Sequence, residues 1–377
     1  MAPYRISFGH LEIGPLARAY VTDALDRAWV SAGPHVDAFE REFAAHFAYP
    51  QAVATSSGTD AGLVTWMALA DLHGWSRGDD VLTPAAAFVA TANAVLAAGL
   101  TPRFVDIDLA TLNLAPSLIE AAITPRTRAI QVVHTMGRLC DMPTILDIAR
   151  RHNLLVVEDA CEAHGGRLHG QLAGTWGVAG TFSFYAAHLI CSGEGGMIVT
   201  GDPTVAATCR SVRTHGRRDG ALHFTFDRPG LNAKMNDLEA AIGREGLVRF
   251  DDAFRIRREH IAHLRTRLDR WRDRLLLPDE APHEVISPHA FPLVLRDPKA
   301  SITPLSDHLD TNGIQCKTLF GSLPTQHRAF ASLGYRIGDF PVAERLHTTG
   351  LHFGLHQHLT PADVDYAGDV IDAWMTR

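Results

Sequence analysis

Nowhere does the chain approach the ~18 successive apolar residues of a membrane-spanning helix, and its opening, MAPYRISFGHLEIG, has neither an apolar h-region nor a small-residue cleavage site. A cytoplasmic chain with no membrane partner is therefore expected. Cationic charge is also short, since 35 Lys and Arg against 42 Asp and Glu leave a formal charge of -7. That balance excludes a general nucleic-acid surface, and the Arg-rich residues 255–274 read as the solvated face of a long helix. Cysteine is sparse and scattered: Cys140, Cys161, Cys191, Cys209 and Cys316, with no C-x-x-C pair. An odd, widely spaced set fits neither a disulfide framework nor a zinc ribbon, and burial as small apolar residues is expected. Lysine is scarcer still, with only Lys234, Lys299 and Lys317. Internal repeats and low-complexity segments are missing.

What is present is a globular composition, 46% apolar and 20% charged over 377 residues, long enough for one large and one smaller domain. Apolar residues at helical spacing over 15–30 and 36–47, on either side of Ser31-Ala32-Gly33-Pro34, predict two opening helices. Short β-like runs then alternate with helices over 52–55, 60–72, 80–83, 88–98, 103–105, 116–122, 129–133, 144–152 and 154–157. Such alternation builds right-handed βαβ units on a mainly parallel sheet flanked by helices, an α/β fold. Ligands of these sheets gather beyond the carboxyl ends of the strands. Those ends hold Ser56-Ser57-Gly58-Thr59, residues 85–88, His134, Glu158-Asp159 and residues 184–188. The expected division is an N-terminal segment and large α/β domain over 1–236, a linking long helix over 237–274, and a small α+β domain over 275–377 that covers the cleft.

Several of these residues suit chemistry, each beside a plainer reading. Ser57, Gly58 and Thr59 follow a strand and open a helix, where free N–H groups and the positive helix end suit a phosphate; an ordinary N-cap is the alternative. Asp159 ends an apolar strand and suits the ring N–H of a cofactor, or caps a turn. Phe88 is either core or a stacking ring. His188 lies in TFSFYAAHLICSGEGGM, residues 181–197, and an imidazole is a competent base near neutral pH. His352, His356 and His358 form an H-x-x-x-H-x-H run in a strand-like stretch without a nearby carboxylate, so no metal site is expected.

In their order these motifs resemble the DegT-type sugar aminotransferases, pyridoxal phosphate (PLP) enzymes of fold type I, the aspartate aminotransferase fold. The likeness covers nearly the whole chain. It runs through Phe39-Glu40, the Ser57-Gly58-Thr59 loop, Glu158-Asp159-Ala160, Ala163-His164-Gly165, Arg213-Thr214-His215-Gly216, Gly230-Leu231-Asn232-Ala233-Lys234-Met235 and Phe340-Pro341-Val342-Ala343-Glu344-Arg345. The resemblance implies that Ser57, Gly58, Thr59 and Ser183 hold the cofactor phosphate, that Asp159 pairs with the pyridinium N–H and that Phe88 stacks on the ring. It also implies that Glu162 stands near the cofactor hydroxyl, where transaminases of the family usually have Gln. A homodimer with shared sites is implied as well, with Asn232 touching cofactor phosphate and with His215 and Lys234 reaching the neighbouring subunit's site.

His188 is the departure. The family has at this place the lysine that anchors PLP covalently, and an imidazole cannot form that bond. The resemblance then narrows to the branch of GDP-4-keto-6-deoxymannose 3-dehydratases. It implies that L-glutamate converts PLP to pyridoxamine phosphate (PMP) with release of 2-oxoglutarate, and that PMP condenses with a nucleotide-linked 4-keto-6-deoxysugar. The C3 hydroxyl departs while His188 removes a proton and Asp159 supports the electron sink. A related branch binds a [2Fe–2S] cluster through clustered cysteines; none cluster here, so no iron–sulfur cluster is expected. Three rivals are the same chemistry on another ketone such as a cyclitol, an inactive subunit supporting a transaminase, and a binding or regulatory protein.

Overall fold

A computed structural model describes residues 4–218, 220 and 224–376. Seven strands form one sheet in the spatial order Gln51–Thr55, Gly196–Thr200, Ala179–Ser183, Leu155–Asp159, Thr127–Val133, Asp80–Pro84 and Thr101–Val105. The sheet is parallel as expected, except that Gly196–Thr200 runs antiparallel to both neighbours. Connection length explains the exception. Parallel neighbours need a crossover, supplied by helices such as Val89–Ala97 and Met142–Arg151, whereas residues 184–195 turn straight back onto their own sheet. That returning turn carries His188.

Alternate residues of each strand face opposite cores. Ala54, Phe182, Met197 and Val199 join an aromatic cluster with Phe39, Phe43, Phe47 and Phe250. Val53, Ala179 and Ile198 face the other way, against Val64, Trp66 and Leu69. Buried on both faces, the large sheet leaves only its edges and strand ends open to a ligand.

A second sheet is antiparallel, in the order Leu275–Leu276, Phe291–Leu295, Gly350–Phe353 and Cys316–Thr318. Helices Thr303–Thr311 and Pro361–Met375 close its core around Phe291, Leu305, Phe353 and Ile371. The start of the chain runs with this second sheet: Ile6 N–H donates to Gly313 O at 3.1 Å, and Ile6 O accepts from Gln315 N–H at 2.9 Å.

Where one linking helix is expected there are two, Asp237–Val248 and Phe250–Leu268, which meet at Arg249. The first packs on Pro15–Asp26 and Pro34–Phe47, the second on Pro361–Met375. Each half has its own apolar partner, and a break at Arg249 buries both. The Arg-rich stretch is not wholly solvated either. Arg257 is 2% exposed, and its Nε–H donates to Gln357 Oε1 at 2.8 Å. No helix among the described residues is long and apolar enough to cross a membrane.

Candidate active site

A cavity of about 700 Å³ lies where the carboxyl ends of the large sheet meet the second sheet. Ser57, Gly58, Thr59, Phe88, Asp159, Glu162, Ser183 and His188 all line it. Residues distant in sequence are brought together because the parallel strands end along one edge.

The wall at Ser57 is built by close backbone approach. Ser57 caps the helix Gly58–His73, its Oγ accepting from Asp60 N–H at 3.0 Å. The earliest N–H groups of a helix have no partner within it and sit at the positive end of its dipole. A Cβ at Gly58 would lie 2.6 Å from Ser183 Cβ, and one at Gly196 would lie 2.3 Å from Ser57 O. Two glycines thus let the helix start, the Ser183 hydroxyl and the returning strand converge. This set of amide and hydroxyl donors fits a phosphate.

Asp159 ends Leu155–Asp159 on the cavity side, and its carboxylate is held in place. Thr91 Oγ1–H donates to Oδ2 at 2.7 Å, and Cys161 N–H donates to Oδ1 at 3.3 Å. The two-residue alternation of the strand sends Glu158 to the opposite face. There it accepts from Gly174 N–H at 2.8 Å and from Trp176 and Gly177 N–H at 2.7 Å, with His134 Nε2 at 3.0 Å from its Oε2. His134 and Glu158, expected at the ligand edge, are therefore structural. Phe88 is 60% exposed, with its ring 6.2 Å from that of Phe320 across the cavity, so it is not a core residue.

His188 N–H donates to Tyr185 O at 2.9 Å, which ties the residue to its own turn. Its Nδ1 is buried with no hydrogen-bond partner among the described residues. Burial, and then the Arg257 guanidinium, push its pKa down to about 3. The titration expected near neutral pH gives way to an imidazole that stays uncharged and holds an accepted proton only weakly. Glu162 moves in the other direction. Burial raises its pKa to about 8, against the lowering effect of a Met136 N–H that donates to Oε2 at 2.6 Å and with the help of nearby Asp159. At neutral pH its carboxyl keeps a proton to donate.

His215, Asn232 and Lys234 do not line this cavity. His215 N–H donates to Leu231 O at 2.7 Å, Thr214 bridges to Asn232, and Lys234 Nζ donates to Asn232 Oδ1, so the loop is packed on itself. Conversely, Phe8, His289 and Phe320 line it without having been singled out in the sequence, and Lys317 and His352, noted there only as a rare lysine and as part of a histidine run, line it too. Gln131 does too, 2% exposed and with its Oε1 unpartnered among the described residues. In sequence a lone aromatic or histidine among apolar residues is indistinguishable from a core residue. Lys317 reaches the cavity from the second sheet, with Nζ 4.6 Å from the Phe8 ring centroid.

The helix-start cradle, the strand-end carboxylate and the turn-borne imidazole sit on an α/β scaffold that is the fold of type I PLP-dependent enzymes. Residues 12–372 match the DegT/DnrJ/EryC1/StrS aminotransferase family, and the chain belongs to that family. It is 35% identical over 370 residues to GDP-perosamine synthase of Caulobacter vibrioides, covering 96% of each chain. It is 33% identical over 390 residues to dTDP-4-dehydro-2,6-dideoxy-D-glucose 3-dehydratase of Saccharopolyspora spinosa, covering 96% of this chain and 84% of that one. Among solved structures, E. coli GDP-4-keto-6-deoxy-D-mannose-3-dehydratase with bound hydrated PLP is similar with a TM-score of 0.88 at 27% identity, covering 98% of this chain and 99% of that one.

Proposed function

We propose that this chain is a PLP/PMP-dependent 3-dehydratase that removes the C3 hydroxyl of a nucleotide-linked 4-keto-6-deoxysugar, with L-glutamate regenerating PMP. The observation that carries this reading is His188, set in the cavity wall at the place the family fills with lysine. The cofactor, when bound, supplies an amine for the ketone and an electron sink. Ser57, Gly58, Thr59 and Ser183 hold its phosphate, Asp159 keeps a proton on the ring nitrogen, and Phe88 shields the ring from water. With Nδ1 closed off, His188 Nε2 is the nitrogen that takes a proton from the carbon bearing the amine. An imidazole moves that proton but offers no amine to displace the product, which favours loss of water over release of an aminosugar.

Likeness to a perosamine synthase supports transamination as the second reading. That chemistry normally uses a lysine at position 188, and the three lysines are elsewhere: Lys234 bonded to Asn232, Lys299 exposed, and Lys317 on the opposite wall. We also read His215, Asn232 and Lys234, turned away from their own cavity, as serving the neighbouring subunit's site in a homodimer. Phe224 and Phe226, 79% and 55% exposed beside this loop, suit such an interface. The division of labour follows the two sheets, the larger carrying the cofactor and the smaller closing over the sugar.

The test is incubation of PMP-loaded protein with a panel of nucleotide ketosugars, followed by mass spectrometry. Loss of one water from a 4-keto-6-deoxysugar is expected. Aminosugar as the main product would replace this reading with transamination.

A further inference from the structure

A row of ionisable side chains runs from buried His164 to the cavity wall, where His188, His289 and Glu162 stand. The rings of His164 and His188 are 6.0 Å apart, and those of His188 and His289 are 5.1 Å apart with a 37° tilt. His289 Nε2 ends the row 3.5 Å from Glu162 Oε1. His289 leads into the second sheet's strand Phe291–Leu295, and Glu162 follows the first sheet's Leu155–Asp159, so the row is assembled only where the two sheets meet. His188, His289 and Glu162 all face the cavity.

Dehydration needs more than a base. The C3 oxygen is a poor leaving group unless it is protonated as it departs, and glutamine at position 162 would have no proton to give. We propose that Glu162 is the acid that protonates the departing C3 hydroxyl, and that His289 returns to it the proton His188 has taken. This rests on the dehydratase reading above.

The step balances. The C3–O bond breaks with its electron pair on oxygen, which takes the Glu162 proton and leaves as water. His188 takes the proton of the breaking C–H bond, and that bond's electron pair enters the π system that extends to C3. His188 then passes its proton, by way of water in the cavity and of His289, whose Nε2 lies 3.5 Å from Glu162 Oε1, to the Glu162 carboxylate, and all three groups end as they began. The surroundings favour this direction. Burial, His188, His352, Arg257 and His164 all hold the His289 pKa well below its usual value, and burial with Arg257 does the same at His188. Glu162, facing Asp159 and the Met136 N–H, is raised to about 8. The proton therefore rests on the carboxyl.

His289 acts through its neighbours and is a positioning residue; Glu162 is the catalytic one. Infrared titration of the ligand-free protein is expected to show a protonated carboxyl at pH 7 that is lost near pH 8 and is absent in Glu162→Gln. In turnover, Glu162→Gln is expected to keep PMP binding within about threefold yet slow dehydration by roughly 10²-fold or more, and to lose the alkaline limb of the kcat profile. His289→Ala is expected to lower kcat with little change in KM, and free imidazole to restore part of it. His289→Gln fills the same space without passing a proton and is expected to be as slow, with no rescue. An ionised Glu162 at pH 7, or Glu162→Gln dehydrating at the parent rate, overturns the proposal alone. Undiminished turnover in His289→Gln removes His289 from it. A parent that dehydrates no nucleotide ketosugar sinks the dehydratase reading and this step with it.

Discussion

Thr91 donates its hydroxyl to Asp159 Oδ2 at 2.7 Å, linking the helix Val89–Ala97 to the end of the strand that carries the carboxylate. Among the described residues the remaining oxygen takes only the longer Cys161 N–H contact, at 3.3 Å. One oxygen is thus fixed by a side chain while the other carries the weaker contact on the cavity side.

Thr91→Val keeps the shape and removes a hydrogen bond to a charged group, a contact worth about 1.5–3 kcal/mol. Weaker PLP binding, by about tenfold or more, is the expected result in an absorbance titration. An unchanged affinity would mean that Asp159 keeps its orientation without the hydroxyl.

No lysine stands at position 188, so the parent protein is expected to bind PLP without a covalent anchor. Borohydride reduction followed by peptide mapping should leave no pyridoxyl-lysine. Lys317 is the one to watch, because it alone of the three lines the cavity. Full-occupancy label on Lys317, Lys234 or Lys299 would reverse this expectation.

Two substitutions separate the base from the anchor. His188→Asn removes the base and should retain cofactor while losing dehydration by roughly 10²-fold or more. His188→Lys supplies an amine that can still move protons, so covalent anchoring should appear as an absorbance change, dehydration should fall and aminosugar formation should rise. If His188→Asn turns over a verified substrate at the parent rate, His188 is not the base.

Buried histidines make stability depend on pH. Burial lowers His188 and His352 to about 3 and His356 to about 4. In the unfolded chain they titrate near 6.5. Below that value the unfolded state binds more protons, so stability is lost as pH falls toward 4. Glu162 opposes this, since its proton is held more tightly in the fold and its contribution declines as pH rises from about 4.5 toward 8. The lowered histidines, His164 and His289 among them, outnumber that raised carboxyl, and urea midpoints should fall from pH 7 to pH 5. His352→Asn should flatten that slope by up to about 1.4 kcal/mol per pH unit, the value of one proton. A slope unchanged in that variant would show that His352 protonates in the fold as readily as outside it.

The order of short strands and helices determined by itself that a parallel sheet would form, because crossover helices leave few other ways to bury both faces. It also determined where Ser57, Gly58, Thr59, Asp159 and His188 would stand, since all parallel strands of such a sheet end along one edge. The two-residue alternation of a strand could be read in advance only as a period: which of Glu158 and Asp159 faces the cavity was decided by packing. The same holds for Arg257, whose run of charges reads as a wet helix face until the break at Arg249 re-aims the second helix and Arg257 meets Gln357 in the interior. Tertiary structure alone placed His289 beside Glu162 and His188, by docking the second sheet over the first. It also set their charges, because ionisation depends on burial and on neighbours from other parts of the chain, neither of which is a property of a residue's type or of its place in the sequence.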